Sequence, residues 1–330
     1  MSERKPYEIR QLLEDAVSGV EPRPALDEIL ARTSRSTSRR RPWLWGAGGA
    51  VVATAAVVTA VAALGNGPAS KHEAGPAGST PTATTATVAV PAYFLGATSH
   101  GPRLYREFEK SSPSAAKGIG PLELAIGGKS ADPDYRSLWP SGLTIASVIP
   151  AANGSSAIRV SLLSPPGGSL ALRPAGMTAV QARLSIQQVV YTVQAEYKST
   201  APVRFLVDRH PATRLLGVTL SGPVPRAAAL DVLAQVWVDN PTDGATVADG
   251  FKVTGLAAAF EANVQWELKQ GGRVVKSGFT TARECCVMAP YSFTVHAAPG
   301  TYTLVVHDDD PSGGASKFAP WQDTKTITVR

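Results

Sequence analysis

What the sequence lacks sets the first bounds on it. Only two cysteines occur in 330 residues, Cys285 and Cys286, and they are adjacent. No framework of disulfides can hold such a chain together. Consecutive α-carbons lie about 3.8 Å apart, short of the usual span of a disulfide, so a bond between these two would need a distorted backbone. The pair is expected as two small side chains at a strand end or loop, the alternatives being a redox switch or a bridge between molecules. Histidine is scarce as well, at five. There is no HExxH zinc pattern and no GxSxG nucleophile elbow, and His210 and His296 have no nucleophile or acid at a recognisable spacing. Residues 127–130, GGKS, end like a phosphate-binding loop, but Glu123 stands where that motif needs its first glycine. No cofactor is implied. A wall hydrolase assembled from distant carboxylates is the enzymatic alternative that a sequence leaves open.

A strongly basic surface is also missing from the C-terminal bulk. The formal net charge is +6, yet the conspicuous cluster is Arg32, Arg35, Arg39, Arg40 and Arg41, ahead of an apolar run. Beyond residue 70 acids and bases are scattered in similar numbers, and no basic helix interleaves with stacking aromatics. Nucleic acid is therefore excluded as a partner.

What is present begins with that run. The 22 residues from 43 to 64 carry no charge, and at about 1.5 Å per residue they suffice to cross a hydrocarbon core roughly 30 Å thick. Alanine and glycine dominate, so insertion is only weakly favourable. One arginine at the centre, at roughly +2.5 to +3.5 kcal/mol, would cancel it. Trp43 and Trp45 stand at the interfacial position, and Arg39, Arg40 and Arg41 hold the N-terminal side in the cytoplasm by the positive-inside rule. A cleaved leader is the main rival, but its basic region would be far too long and its apolar core longer than usual. The expectation is a single-pass protein of the cell membrane, with residues 1–42 cytoplasmic, 43–64 spanning the bilayer and everything after outside.

Within residues 1–42, Ile9, Leu12, Leu13 and Val17 fall on one face of a short helix, and a second is plausible around Leu26, Ile29 and Leu30. Residues 65–85 are rich in Gly, Pro, Ser, Thr and Ala and read as a flexible linker. Over 86–229 strand and helix signals alternate. Strands are expected at 88–95, 103–108 and 157–163, and helices at 115–126 and 178–198. The stripe Ala182, Ile186, Val189, Val190 and Val193 is wide enough to pack the second helix on a sheet. VRFLVD and RLLGVTL then read as one hairpin around HPAT. Over 230–330 the segments AQVWV, FKVTGLA, NVQWELK, RVVKSGF, YSFTVHA, TYTLVVH and TKTITVR alternate with period two, which argues for an antiparallel β-sandwich. The fold class is thus an α+β domain followed by an all-β sandwich, behind a single transmembrane helix.

Several of these stretches carry a resemblance. AYFLG, SVIP and LSIQQVVYTVQA followed by VRFLVD make residues 86 to about 222 similar to a GerMN domain, the module of sporulation and spore-germination proteins. VWVDNPTDGATVADGFKVTGLAAAFEANVQWEL, GTYTLVVHDDDPS and TKTITVR make residues 232–330 similar to the immunoglobulin-like domain of bacterial spore germination proteins. Together they span about two thirds of the chain. The strand IRVSLLS lacks an acidic residue common in the first family and the turn DRHPATR is more elaborate, so no ligand site is carried over. YEIRQLLEDAVSGVEPRPALDEILART, before the membrane, resembles N-terminal segments of actinobacterial membrane regulators, including anti-sigma factors. The resemblance implies an exported, envelope-facing, non-enzymatic protein whose domains bind or assemble. Its expected partners are the bilayer, an envelope protein or peptidoglycan, and a cytoplasmic factor for residues 1–31.

Two places could hold a ligand. Asp308, Asp309 and Asp310 offer three carboxylates suited to a hard cation such as calcium, although neighbours on a strand cannot all point inward and an acidic turn before Pro311 is ordinary. Glu261 is a carboxylate amid apolar neighbours, expected to hydrogen-bond backbone within the sandwich. The topology has a direct test. Protease added to cells stripped of their wall should remove the C-terminal bulk and leave a small membrane stub, and full protection of that bulk would contradict it.

Overall fold

The computed structural model describes residues 88–112, 117–127, 130–151, 156–309 and 318–330. The expected membrane span, its flank Arg39, Arg40, Arg41, Trp43 and Trp45, the N-terminal helices and the linker lie outside the described residues, as does Asp310. Among the described residues no helix is long and apolar enough to cross a membrane.

The first module opens with β1 (Val88–Thr98) and β2 (Gly101–Ser111), an antiparallel hairpin turned at Ser99 and His100. Residues 92–95 of β1 are buried without alternation, because the strand is covered on both faces. After α1 (Ile119–Gly127), β3 (Tyr135–Arg136) pairs on the other side of β1, giving the order β2-β1-β3. A second sheet holds β4 (Thr144–Ile149), β5 (Ile158–Leu163), β6 (Val203–Val207) and β7 (His210–Pro211). Here β5 and β6 run parallel, since α2 (Ala179–Tyr197) carries the chain back between them. Both ends of α2 are set by sequence. Thr178 and Gln181 close a reciprocal capping box at the start, and Lys198 takes the left-handed conformation at the end.

The single hairpin expected around HPAT is replaced by two tight ones. β6 turns back onto β7 through Asp208 and Arg209, while β8 (Arg214–Leu215) and β9 (Val218–Thr219) pair about Leu216 and Gly217. Each turn has two successive residues with positive φ: 51° and 71° in the first, 49° and 75° in the second. That geometry matches the twist of closely paired strands and needs no longer loop.

A short helix, α3 (Ala229–Val232), leads into the second module. Its strands are β10 (Val236–Asn240), β11 (Ala245–Val247), β12 (Phe251–Ala257), β13 (Asn263–Gln270), β14 (Arg273–Thr281), β15 (Ala289–Val295), β16 (Gly300–Asp308) and β17 (Gln322–Val329). They form sheets of order β10-β12-β15 and β11-β17-β16-β13-β14. All seven expected strands are present. The eighth, β11, runs parallel to β17 and so departs from a purely antiparallel sandwich. Cys285 and Cys286 correct a second expectation: they are joined in a disulfide in the exposed β14–β15 loop. The loop accommodates the pair with Cys286 at a φ of 65°.

Among the described residues two hydrophobic cores result, and their division does not follow the two modules. One lies between β4, β5, β6 and the stripe Ala182, Ile186, Val189, Val190 and Val193 of α2. The other runs from β1 and β2 straight into the sandwich, joining Phe94 and Tyr105 to Trp237, Val264 and Leu304. The helix α2 serves both, since its Leu184 and Tyr191 belong to the second. Its buried polar residues complete the fit: Gln188 Nε2 donates to the carbonyls of Tyr93 and Ala125, each at 2.8 Å, and the Tyr93 N–H donates to Thr192 Oγ1 at 3.1 Å. Both modules fall within one compact unit.

Gly255 of β12 sits where nothing larger fits. A Cβ there would collide with the Trp237 carbonyl oxygen and the Tyr291 hydroxyl, two groups bonded to each other at 2.9 Å. The substitution Gly255→Ala should therefore destabilise the full chain by about 1–3 kcal/mol, measured as a lowered urea midpoint in tryptophan fluorescence. An unchanged midpoint would contradict this packing.

Candidate functional site

Strand β17 alternates strictly, and its inward positions are Asp323, Lys325, Ile327 and Val329. The apolar half fills the sandwich. The charged half meets the first module. Lys325 Nζ lies 2.5 Å from Glu107 Oε1 on β2, 2.6 Å from Asp132 Oδ2 in the loop before β3, and 3.6 Å from Asp323 Oδ1. The lysine side chain is fully buried. Its ammonium also sits 4.7 Å from the centre of the Tyr135 ring. Asp323 accepts from the Tyr135 hydroxyl through one oxygen and from the Val238 N–H at 2.6 Å through the other. Around this cluster, Tyr105 donates to the Gln322 carbonyl at 3.2 Å, and Thr324 donates to Asp134 Oδ2 at 3.0 Å.

On the other side of β2 lies a cleft of about 820 Å³, opening between the end of α2, the segment before α3 and the sandwich. Arg106 lies along it with both Nε and Nη2 on Asp239, at 3.0 and 2.6 Å, and its guanidinium packs over the rings of Phe108 and Trp237. Arg226 is held differently. Its Nε donates to the buried Gln194 Oε1 at 2.7 Å, and its guanidinium lies 4.4 Å from the Tyr191 ring centre. Among the described residues no carboxylate forms an ion pair with Arg226. Burial raises the pKa of the Tyr93 phenol in this cleft, while Arg106 and Arg226 both pull against it.

A second hollow, of about 610 Å³, lies on the outer face of the five-stranded sheet. Asn263, Gln265, Glu267, Phe279 and His307 line it, with Phe279 75% exposed. Glu261 lines it as well. It stands exposed on a single 3-10 turn, Phe260–Ala262, with a φ of 51°, and does not enter the sandwich. Asp309 accepts from Asn263 Nδ2 at 3.2 Å and Gln265 Nε2 at 2.9 Å. Asp308 turns away from these amides. Burial pushes its carboxyl up to about 6. The structure thus brings Glu261 to the sheet face whose amides hold Asp309, and it does not gather Asp308 with them. Among the described residues no group of three or more His, Cys, Asp or Glu is placed to hold a metal ion.

Residues 91–213 match the model described as sporulation and spore germination, and residues 235–315 match the immunoglobulin-like domain of bacterial spore germination. The chain carries both domains, in that order. Among solved structures, the tandem GerMN domains of the sporulation protein GerM from Bacillus subtilis align at 12% identity and a TM-score of 0.32, over 64% of this chain and 62% of that one. CopC from Methylosinus trichosporium OB3b aligns at 13% identity and a TM-score of 0.22, over 28% of this chain and 92% of that one. No curated protein matches the chain.

The groups that join the GerMN module to the Ig-like module, Glu107, Asp132, Asp323 and Lys325, escaped sequence reasoning, as did Arg106 and Arg226. A signal was available for three of them, Asp323 sharing the phase of Lys325 on β17. Lys325 falls in phase with Ile327 and Val329, and Glu107 with Tyr105, so each marks a charge on an inward face. Asp132 sits in a loop and Arg226 in an irregular segment, where no periodicity operates.

One ammonium serves three carboxylates, and that imbalance sets the protonation. Burial would lower Lys325, but Asp323, Glu107 and Asp132 outweigh it and hold the ammonium well above its usual range. Burial raises Asp323 and pushes Glu107 from an ordinary 4.5 up to about 8, against the pull of Lys325. The folded chain therefore retains a proton on Glu107 that the unfolded chain releases, so this group's stability contribution is full below about 4.5 and lost as pH rises through about 8. Urea unfolding should show stability falling across that window by on the order of a few kcal/mol, and Glu107→Gln should flatten much of the slope. Stability that rises across the same window would contradict the assignment.

Proposed function

We propose that this is a single-pass, membrane-anchored protein whose GerMN and Ig-like modules stand outside the cytoplasm and bind an envelope protein or a cell-wall ligand without catalysing a reaction. The single observation that carries the reading is the buried Lys325 cluster, which fastens the two spore-type modules into one body and leaves a cleft beside the seam. A rigid junction with preset polar groups suits recognition, because little freedom is lost when a ligand settles there. The uncharged run 43–64 behind Arg39, Arg40 and Arg41 supports the anchor and its orientation.

A second reading is a transmembrane regulator that holds a cytoplasmic factor, favoured by the one-sided apolar spacing of Ile9, Leu12, Leu13 and Val17. One experiment addresses both. A photoreactive side chain at Thr200, beside the cleft, is activated in whole cells and the captured neighbour identified, with and without residues 1–31. The binding reading expects an envelope protein or wall fragment in both cases; capture of cytosolic proteins alone would overturn it. A cellular phenotype unchanged by the truncation would remove the regulator reading.

A further inference from the structure

Resting on the binding reading above, the geometry points to what the cleft takes: we propose that Arg226 receives the free terminal carboxylate of a short, otherwise uncharged peptide. Arg226 lines the cleft without an ion pair among the described residues. Of its neighbours, Arg106 is neutralised by Asp239, and Lys198 and Glu196 both line the same cleft with opposite charge. The cleft and its ion pair therefore leave one positive charge unmatched, which a monoanion satisfies.

The guanidinium is also held in place before any ligand arrives. Gln194 fixes Nε, and Gln194 is itself fixed by donating through Nε2 to the Ala201 carbonyl at 2.8 Å. The ring of Tyr191 supports the flat face, and its hydroxyl is tied to the Ala227 carbonyl at 2.8 Å, on the residue next to Arg226. With Nε and one face engaged, the donors left over are those of the two terminal nitrogens, a planar fork that matches a carboxylate oxygen for oxygen. Around this fork the walls are mixed. Pro91, Phe108, Leu233 and Met288 offer apolar surface for a small side chain, while Ser199 and Thr200 offer hydroxyls for a peptide group. A doubly charged phosphate would leave its second charge without a partner.

A terminal carboxylate can come from the end of a polypeptide or from a wall stem peptide, and the configuration of the last residues separates the two sources. The test uses the full chain in nonionic detergent and equilibrium dialysis with four radiolabelled probes: N-acetyl-L-alanyl-L-alanine, N-acetyl-D-alanyl-D-alanine, and the C-terminal amide of each. At least one acid should bind and its amide should not. Arg226→Gln should weaken binding of that acid at least about tenfold, and Arg226→Lys, which keeps the charge and loses the fork, should weaken it less. Arg226 is exposed, so both variants should keep the wild-type circular dichroism. Preference for the L,L acid assigns a protein end, and preference for the D,D acid a wall peptide; either supports the site. Amides that bind as tightly as acids, no binding by any probe, or wild-type affinity in Arg226→Gln would overturn it. If the dialysis fails while whole-cell capture still yields an envelope neighbour, the carboxylate site falls and the binding reading stands.

Discussion

A single buried ammonium shared among three carboxyl groups fixes how the two modules of this chain dock. Taking Lys325, Glu107, Asp132 and Asp323 out of water is costly, and only mutual contact with complete hydrogen bonding offsets that cost. Each carboxylate comes from a different place: β2, the loop before β3, and β17 itself. The cluster is satisfied only when all three are assembled. Removing one partner would strand a buried charge, whereas a hydrophobic core alone would tolerate some sliding of one module on the other. The ion cluster therefore specifies the docking geometry, and the apolar contacts around it supply most of the adhesion.

The second core follows from that docking. Because β1 and β2 face α1 and α2 on one side and the sandwich on the other, the residues of AYFLG are buried all round, and one apolar cluster passes from Phe94 to Trp237 without interruption. Helix α2 then lies between the two cores and spends its polar residues on the backbone of its neighbours rather than on solvent. Gln194 belongs to this set, and through it the packing of α2 fixes the side chain of Arg226. The interior of the GerMN module thus reaches the wall of the cleft by a short chain of hydrogen bonds.

Much of this architecture was legible in the sequence, and the reasons differ by element. The seven strands of the Ig-like module announce themselves by period-two alternation, and α2 by its apolar stripe between Thr178 and Lys198. Strands of two or three residues, β3, β7, β8, β9 and β11, are too short to show any period, and most of them exist because a neighbouring strand offers an edge. The disulfide escaped because the α-carbon spacing argument sets aside what a residue at positive φ can do. The seam escaped because the acids and bases beyond residue 70 were weighed only as scattered charge, although Lys325 keeps step with Ile327 and Val329. Glu261, singled out as a buried oddity, lies on an exposed turn, since its apolar neighbours Phe260 and Ala262 divide between the surface and the core.

Domains joined by a solvated linker melt separately, while modules locked through a shared core and a buried ion cluster melt together. Differential scanning calorimetry of the full chain distinguishes these cases most directly. One transition whose calorimetric and van't Hoff enthalpies agree is the predicted result. Two resolved transitions, one for the GerMN module and one for the Ig-like module, would contradict the claim that the shared core and the Lys325 cluster make them a single body.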